Sequence, residues 1–189
     1  MDVATAGAAP LAGIAAMLSV DALALSQGDT VLVVGAPGGV GSIAVQLAAR
    51  AGATVIAPAL PEDEDYLRGL GVADVLARDG DVVAAVLERY PDGVGAVLDL
   101  VSYAPGAFDG ALKADGRVAS PNAAAGDGPD RTNVMATPTT ENLDRLAGLL
   151  AEGALRVPIQ ETYELGQAAD ALGALGATHT HGKLAIRLA

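Results

Sequence analysis

The sequence predicts an α/β fold, a doubly wound parallel sheet with helices flanking it. Three observations carry that expectation. Short apolar runs suited to burial on both faces alternate with amphipathic helical stretches. Glycines close the helices one after another. A glycine-rich turn stands directly between the first apolar run and the first helix of the alternation.

The elements follow in order. Residues 3–25 are apolar and read as a buried helix, because they lack a basic leader and include Pro10, Ser19 and Asp21. Thr30, Val31, Leu32, Val33 and Val34 make the first strand. Residues 42–51 follow as a helix whose apolar side is Ile43, Val45, Leu47 and Ala48, with Gly52 beyond its end. Residues 54–57 are a second buried strand. Pro61 opens a helix through Leu70, with Glu62, Asp63 and Glu64 as solvated first-turn carboxylates that complement its dipole. Residues 74–76 are a short third strand, 81–89 a helix, 96–100 the fourth strand, 108–113 a short helix and 116–120 the fifth strand. This alternation implies parallel βαβ units with right-handed crossovers. A loop covers 122–131, a short strand is expected near Val134, and 140–152 form a helix with Thr140 as N-cap. The tail reads as strand, helix and strand over 156–163, 167–175 and 183–188. Residues 1–153 are assigned to the sheet domain, with 1–27 as its lead-in, and 154–189 to a separate C-terminal segment.

Composition narrows the function classes. Half of the residues (51%) are apolar, yet there is one Phe and no Trp, so the core is built from Ala, Val, Leu and Ile in thin layers. A net charge of −12 argues against nucleic acid and anionic membranes as partners. No cysteine is present, which removes disulfides, thiolate catalysis and Cys-based zinc sites from this chain and fits a cytoplasmic location.

The turn Gly35, Ala36, Pro37, Gly38, Gly39, Val40 and Gly41 carries the chemistry. Between a strand end and a helix start, missing side chains let the backbone approach a pyrophosphate, and the helix N-terminus offers N–H donors and a positive dipole end. Gly41 also lets the helix pack close to the strand. The turn is therefore a candidate dinucleotide site of Rossmann type, against the plain alternative of a tight turn without a ligand. A mononucleotide P-loop is excluded, since Gly41, Ser42 and Ile43 lack the Lys-Ser/Thr pair.

At this point the sequence resembles a family. Ala9 to Gly13, Gly28 to Val33, the Gly35–Gly41 turn and Ala44 to Ala48 all match the C-terminal portion of medium-chain dehydrogenases/reductases, in their quinone-oxidoreductase-like branch. Leu70 and Gly71, Asp99, Gly116 to Val118, Tyr163 to Leu165 and Gly182 to Leu184 continue the match. The resemblance covers essentially the full length. It implies hydride transfer to a quinone, enone or related carbonyl substrate, with loops after the fourth and fifth strands (Leu100 and Val101; Ser120) beside the nicotinamide. It implies pairing of copies through the sheet edge, hence a homodimer. In the family a GroES-like catalytic domain comes first and supplies most of the substrate pocket and any zinc ligands. The chain is accordingly expected to be an excised domain, inactive alone, whose tail is a remnant of that catalytic domain. The alternative is a non-catalytic nucleotide-binding or redox-sensing module. Pro37 departs from the family pattern, removing one backbone donor from the turn.

NAD specificity rests on an acidic residue about 20 residues beyond the turn. Pro58 and Ala59 hold that place, which favours NADPH over NADH, although no Arg or Lys accompanies them to neutralise a 2′-phosphate. No residue reads as a catalytic acid or base. His179 and His181 lack a third ligand and read as a surface loop, so no metal is assigned. No Tyr is followed four residues on by Lys, and no Gly-x-Ser-x-Gly occurs, which disfavours short-chain dehydrogenases and α/β-hydrolases. Asp99 is expected to cap the turn after it.

Overall fold

In the computed structural model, which describes residues 2–177 and 179–188, strand β1 (Thr30–Val34) sits at the centre of the sheet and is buried on both sides. Val31 and Val33 enter one apolar cluster, while Leu32 and Val34 enter the other. Successive side chains of a strand point to opposite faces, so an unbroken apolar run is what such a position requires. Around β1 lie β2 (Thr54–Ala59), β3 (Val72–Ala77), β4 (Val94–Asp99), β5 (Leu112–Ser120) and β6 (Arg131–Asn133). All neighbours are parallel, in the order β3-β2-β1-β4-β5-β6. The order reverses between β1 and β4, and a doubly wound sheet opens a ligand crevice there, beyond the strands' carboxyl ends.

One face carries α1 (Val3–Ala22), α2 (Gly41–Arg50), Leu67 of α3 (Glu64–Arg68) and Leu146 of α5 (Thr140–Ala151). The other is covered by α4 (Val82–Arg89) through Val86, together with Ala111 and Ala125 from the loops. The apolar α1 is long enough to cross a membrane by length and composition, yet half of its most apolar window is buried, against α2 and α5. Gly13 makes the α5 contact close: a Cβ there would stand 2.7 Å from the Leu146 side chain. Asp2 caps α1 by accepting from the Thr5 amide at 2.9 Å.

Several boundaries differ from the sequence reading, each for a local reason. Strand β2 runs on through Pro58 to Ala59, because its pairing with β1 stops at Ile56 and Pro58 then needs to match only β3. The helix expected over 108–113 is a single 3-10 turn, Asp109–Ala111, and β5 starts at Leu112. That connection lies flat on α4, where a Cβ at Gly110 would come within 2.9 Å of Val83. The helix opened by Pro61 is a 3-10 turn, Pro61–Asp63, before the short α3. Thr139 rather than Thr140 caps α5, its hydroxyl accepting from the Asn142 amide at 3.2 Å.

In the tail, β7 (Ile159–Glu164) and β8 (Lys183–Arg187) form a separate parallel pair bridged by α6 (Ala168–Ala177). Strand β7 begins later than expected because Arg156 is engaged elsewhere. Its amide and carbonyl pair with the Gln46 side chain of α2 at 3.1 and 3.0 Å, and its guanidinium reaches the Gly69 carbonyl at 2.9 Å.

At the sheet end opposite the crevice, Asp29 accepts from the Ser26 amide at 2.9 Å and from Arg117 of β5 at 3.1 Å. The Ser26 amide, with Arg117 adding to it, holds the Asp29 carboxyl below its ordinary value. Its stabilising contribution is therefore complete above about pH 4, the ordinary aspartate range, and is lost as the pH falls through the lower folded value. In urea unfolding followed by circular dichroism, Asp29→Asn is expected to lose less stability than the parent chain between about pH 5 and pH 3.

Candidate dinucleotide site and an adjoining histidine cluster

The turn between β1 and α2 is built on two glycine constraints. Gly35 leaves β1 with φ +90°, a conformation that side chains resist, and a Cβ there would sit 2.6 Å from Val101. At Gly41 a Cβ would stand 2.1 Å from the Gly35 carbonyl oxygen, so only glycine lets α2 seat this close to β1. The helical ladder opens with the Ser42 amide on the Gly38 carbonyl at 2.9 Å, which leaves the Val40 and Gly41 amides ahead of it. Val40 occupies the N-cap and makes no side-chain cap. An anion is the ligand that such an end accepts.

In front of the turn lies a cavity of about 510 Å³. Gly35, Pro37, Gly38, Pro58, Ala59 and Val101 line it, all of them residues singled out from sequence. The other singled-out residues stand behind or beside that wall. Ala36 is buried, Gly39 and Gly41 pack against the tail and the strand end, and Val40 and Leu100 are half-buried against the core. Ser120 is buried, and its hydroxyl accepts from the Asn122 and Ala124 amides at 3.0 and 3.3 Å. Asp99 caps its own turn as expected: one carboxylate oxygen accepts from the Val101 and Ser102 amides at 3.1 and 2.9 Å, and the other accepts from the Ser102 hydroxyl.

The cavity also has walls that the sequence reading missed. Arg78, Val82, Phe108, His179 and Thr180 line it. Arg78 follows the last residue of β3, and its amide donates to the Ala59 carbonyl at 3.2 Å. The signal was available, since a residue just past a parallel strand's carboxyl end belongs to the ligand crevice. A cationic residue thus lines the cavity with Pro58 and Ala59, contrary to the expectation that none would, its guanidinium 3.7 Å from the Asp79 carboxylate.

The tail reaches the site by pairing with it. Gly182 bridges to Gly38, its amide donating to the Pro37 carbonyl at 2.7 Å. This brings the two histidines over Asp63, which is fully buried instead of solvated as expected. His179 Nε2 and His181 Nε2 lie 2.7 and 2.6 Å from the same oxygen, Asp63 Oδ1. The other carboxylate oxygen accepts from the Leu60 amide at 3.0 Å. Burial acts to raise the Asp63 carboxyl, and the hydrogen bonds from His181, the Leu60 amide and His179 outweigh it and bring it below its ordinary value. The His181 ring stacks on Tyr66 at 4.5 Å between centroids and meets His179 edge-on at 5.5 Å. The pair read as a loop without a third partner therefore has one. Sequence spacing hid it, because Asp63 lies 116 and 118 residues away.

With that geometry described, similarity to known proteins can be stated. The profile of the zinc-binding dehydrogenase family matches residues 70–186. Over 84 residues the chain is 45% identical to an acrylyl-CoA reductase from Ruegeria pomeroyi, a stretch covering 42% of this chain and 26% of that protein. Over 81 residues it is 47% identical to a polyketide synthase from Streptomyces halstedii, covering 42% of this chain and 1% of that protein. The quinone oxidoreductase of Coxiella burnetii superposes with a TM-score of 0.83 at 30% identity, over 96% of this chain and 60% of that one. A quinone oxidoreductase of Pseudomonas syringae gives 0.82 at 25% identity, over 100% of this chain and 66% of that one. The chain thus spans less than two thirds of the Coxiella protein.

Ser120 is held by bonds within its own loop, so its removal is expected to act on folding. Ser120→Ala leaves the buried Ala124 amide and the half-buried Asn122 amide without their acceptor and should cost about 1–3 kcal/mol in urea unfolding.

Proposed function

Because the chain belongs to the zinc-binding dehydrogenase family, within the medium-chain dehydrogenases/reductases, we propose that it is the NAD(P)H-binding part of an oxidoreductase that reduces an electron-poor acceptor. The carrying observation is the coincidence of the side-chain-free turn at Gly35–Gly41, the uncapped start of α2 and the cavity in front of both, at the point where the strand order reverses. The acceptor class follows from what the relatives are: quinone oxidoreductases, and a reductase of acrylyl-CoA, an α,β-unsaturated thioester.

When bound, the dinucleotide supplies the hydride. The chain's own residues bind and orient it. Gly35 and Gly38 let the pyrophosphate approach the backbone, and the α2 N-terminus offers it donors and the positive dipole end. Val101 and Phe108 give the cavity an apolar wall. The cofactor reading is NADPH over NADH. Strand β2 ends at Ala59 without a carboxylate, Asp63 is engaged by the two histidines, and Arg78 supplies a cation for a 2′-phosphate.

Fluorescence titration of the purified chain with NADPH and with NADH tests this, NADPH being expected to bind the tighter. A Cβ at Gly38 would meet nothing closer than 3.5 Å, so Gly38→Ala should fold. It should still weaken both cofactors by about tenfold, or ~1.4 kcal/mol, by standing between the backbone and the phosphates. Parent chain that binds neither cofactor defeats the reading.

Arg78→Ala separates the two cofactors. It is expected to weaken NADPH by roughly five- to tenfold while leaving NADH within about twofold, since only NADPH carries the extra phosphate. Equal losses for both would remove Arg78 from the specificity argument.

A further inference from the structure

We propose that Asp63, His179 and His181 form a binding site for a divalent transition-metal ion of the zinc class, clamping the C-terminal segment onto the nucleotide-binding domain. Two imidazole nitrogens and one carboxylate oxygen are a donor set that suits zinc, cobalt, nickel or copper. Calcium and magnesium require more oxygens than this site offers. The three ligand atoms lie within 4.8 Å of one another, and among the described residues this is the group that meets that condition. Both histidines direct the same nitrogen, Nε2, to one oxygen, Asp63 Oδ1, which gathers the three ligand atoms in one place.

The surroundings fix the donors. Asp63 is fully buried, and its second oxygen is held by the Leu60 amide. The His181 ring lies flat on Tyr66 with 10° between planes, and the His181 amide donates to Gln160 Oε1 at 2.6 Å. Supports of this kind orient ligands at metal sites. A buried carboxylate is also costly unless positive charge compensates it, and a divalent ion beside Asp63 does so.

The fit requires a small opening. Ligands at about 2.0–2.1 Å around a tetrahedral ion stand about 3.3 Å apart. The two contacts at 2.7 and 2.6 Å must therefore widen by roughly 0.6–0.8 Å, which rotation of two side chains on a loop provides. Three protein ligands leave a fourth position to a water or another small ligand, and His179 itself also lines the cavity with Pro58, Ala59 and Arg78. The site stands on its three ligands and does not depend on the dinucleotide reading. Metal binding joins the turn after β2 to the loop before β8, so occupancy stabilises the attachment of the β7–β8 pair.

The test is a titration of the metal-stripped chain with Co²⁺ and with Zn²⁺, Mg²⁺ serving as control. The expected result is one equivalent of Co²⁺ with the intense visible d–d bands of a four-coordinate site, and a rise in Tm with Zn²⁺ that Mg²⁺ does not give. His179→Ala and His181→Ala should each abolish the bands while retaining the circular dichroism of the fold. Should either variant fail to fold, X-ray absorption on the zinc-loaded parent chain reads the ligands directly, and two imidazoles with oxygen are expected. Absence of Co²⁺ bands and of a Zn²⁺-dependent Tm shift overturns the proposal, as do bands that persist in both variants or an absorption spectrum without imidazole. The cluster is then a hydrogen-bonded latch only.

Discussion

The distance between α2 and β1 governs the rest of the architecture. With no side chain at Gly41, the helix start lies against the Gly35 carbonyl, and a single methyl group would force the two apart. That closeness sets where the helix dipole points, how deep the cavity is, and how the sheet's most central strand meets its first crossover. It also aligns Gly38 with the tail, so the same few backbone atoms serve the ligand crevice and the docking of β8.

Small side chains elsewhere follow the same logic. The core holds Ala, Val, Leu and Ile with hardly any aromatic bulk, and α1 packs on α2 and α5 through Ala12, Gly13 and Ala16. Thin layers keep helices close to the sheet, and close helices require interfaces with little side-chain volume. The two faces are unequal as a result. Four helices contribute to one cluster, while α4 and loop residues cover the other, and the stretch read as a helix over 108–113 is a single 3-10 turn that runs into β5.

The parallel sheet and its alternation with helices were legible because their signals are local. Apolar runs such as Thr30 to Val34 declare a strand buried on both faces, and a glycine turn between strand and helix declares a crevice. Boundaries were less legible where a distant residue decides them. Arg156 does not start β7 because Gln46 holds its backbone. Of the residues singled out from sequence, Gly35, Pro37, Gly38, Pro58, Ala59 and Val101 do line the cavity, as their places at strand ends suggested. Arg78 was readable in principle and missed, since it stands one residue past a strand end. The Asp63 cluster was not readable. An acidic residue in a first turn is ordinarily solvated, and nothing local tells which of three neighbouring carboxylates turns inward to meet histidines 116 and 118 residues later.

The bridge from Gly38 to Gly182 has a bearing on the order in which the molecule is completed. Pairings among β1, β2 and β3 join segments made early and near one another, whereas the mouth of the cavity is finished by residues at the far end of the chain. Loop closure over such a span comes late in folding, once the sheet exists for the tail to land on. The crevice therefore matures after its own scaffold, and an emerging chain carries an open, unwalled turn until the last strand is in place.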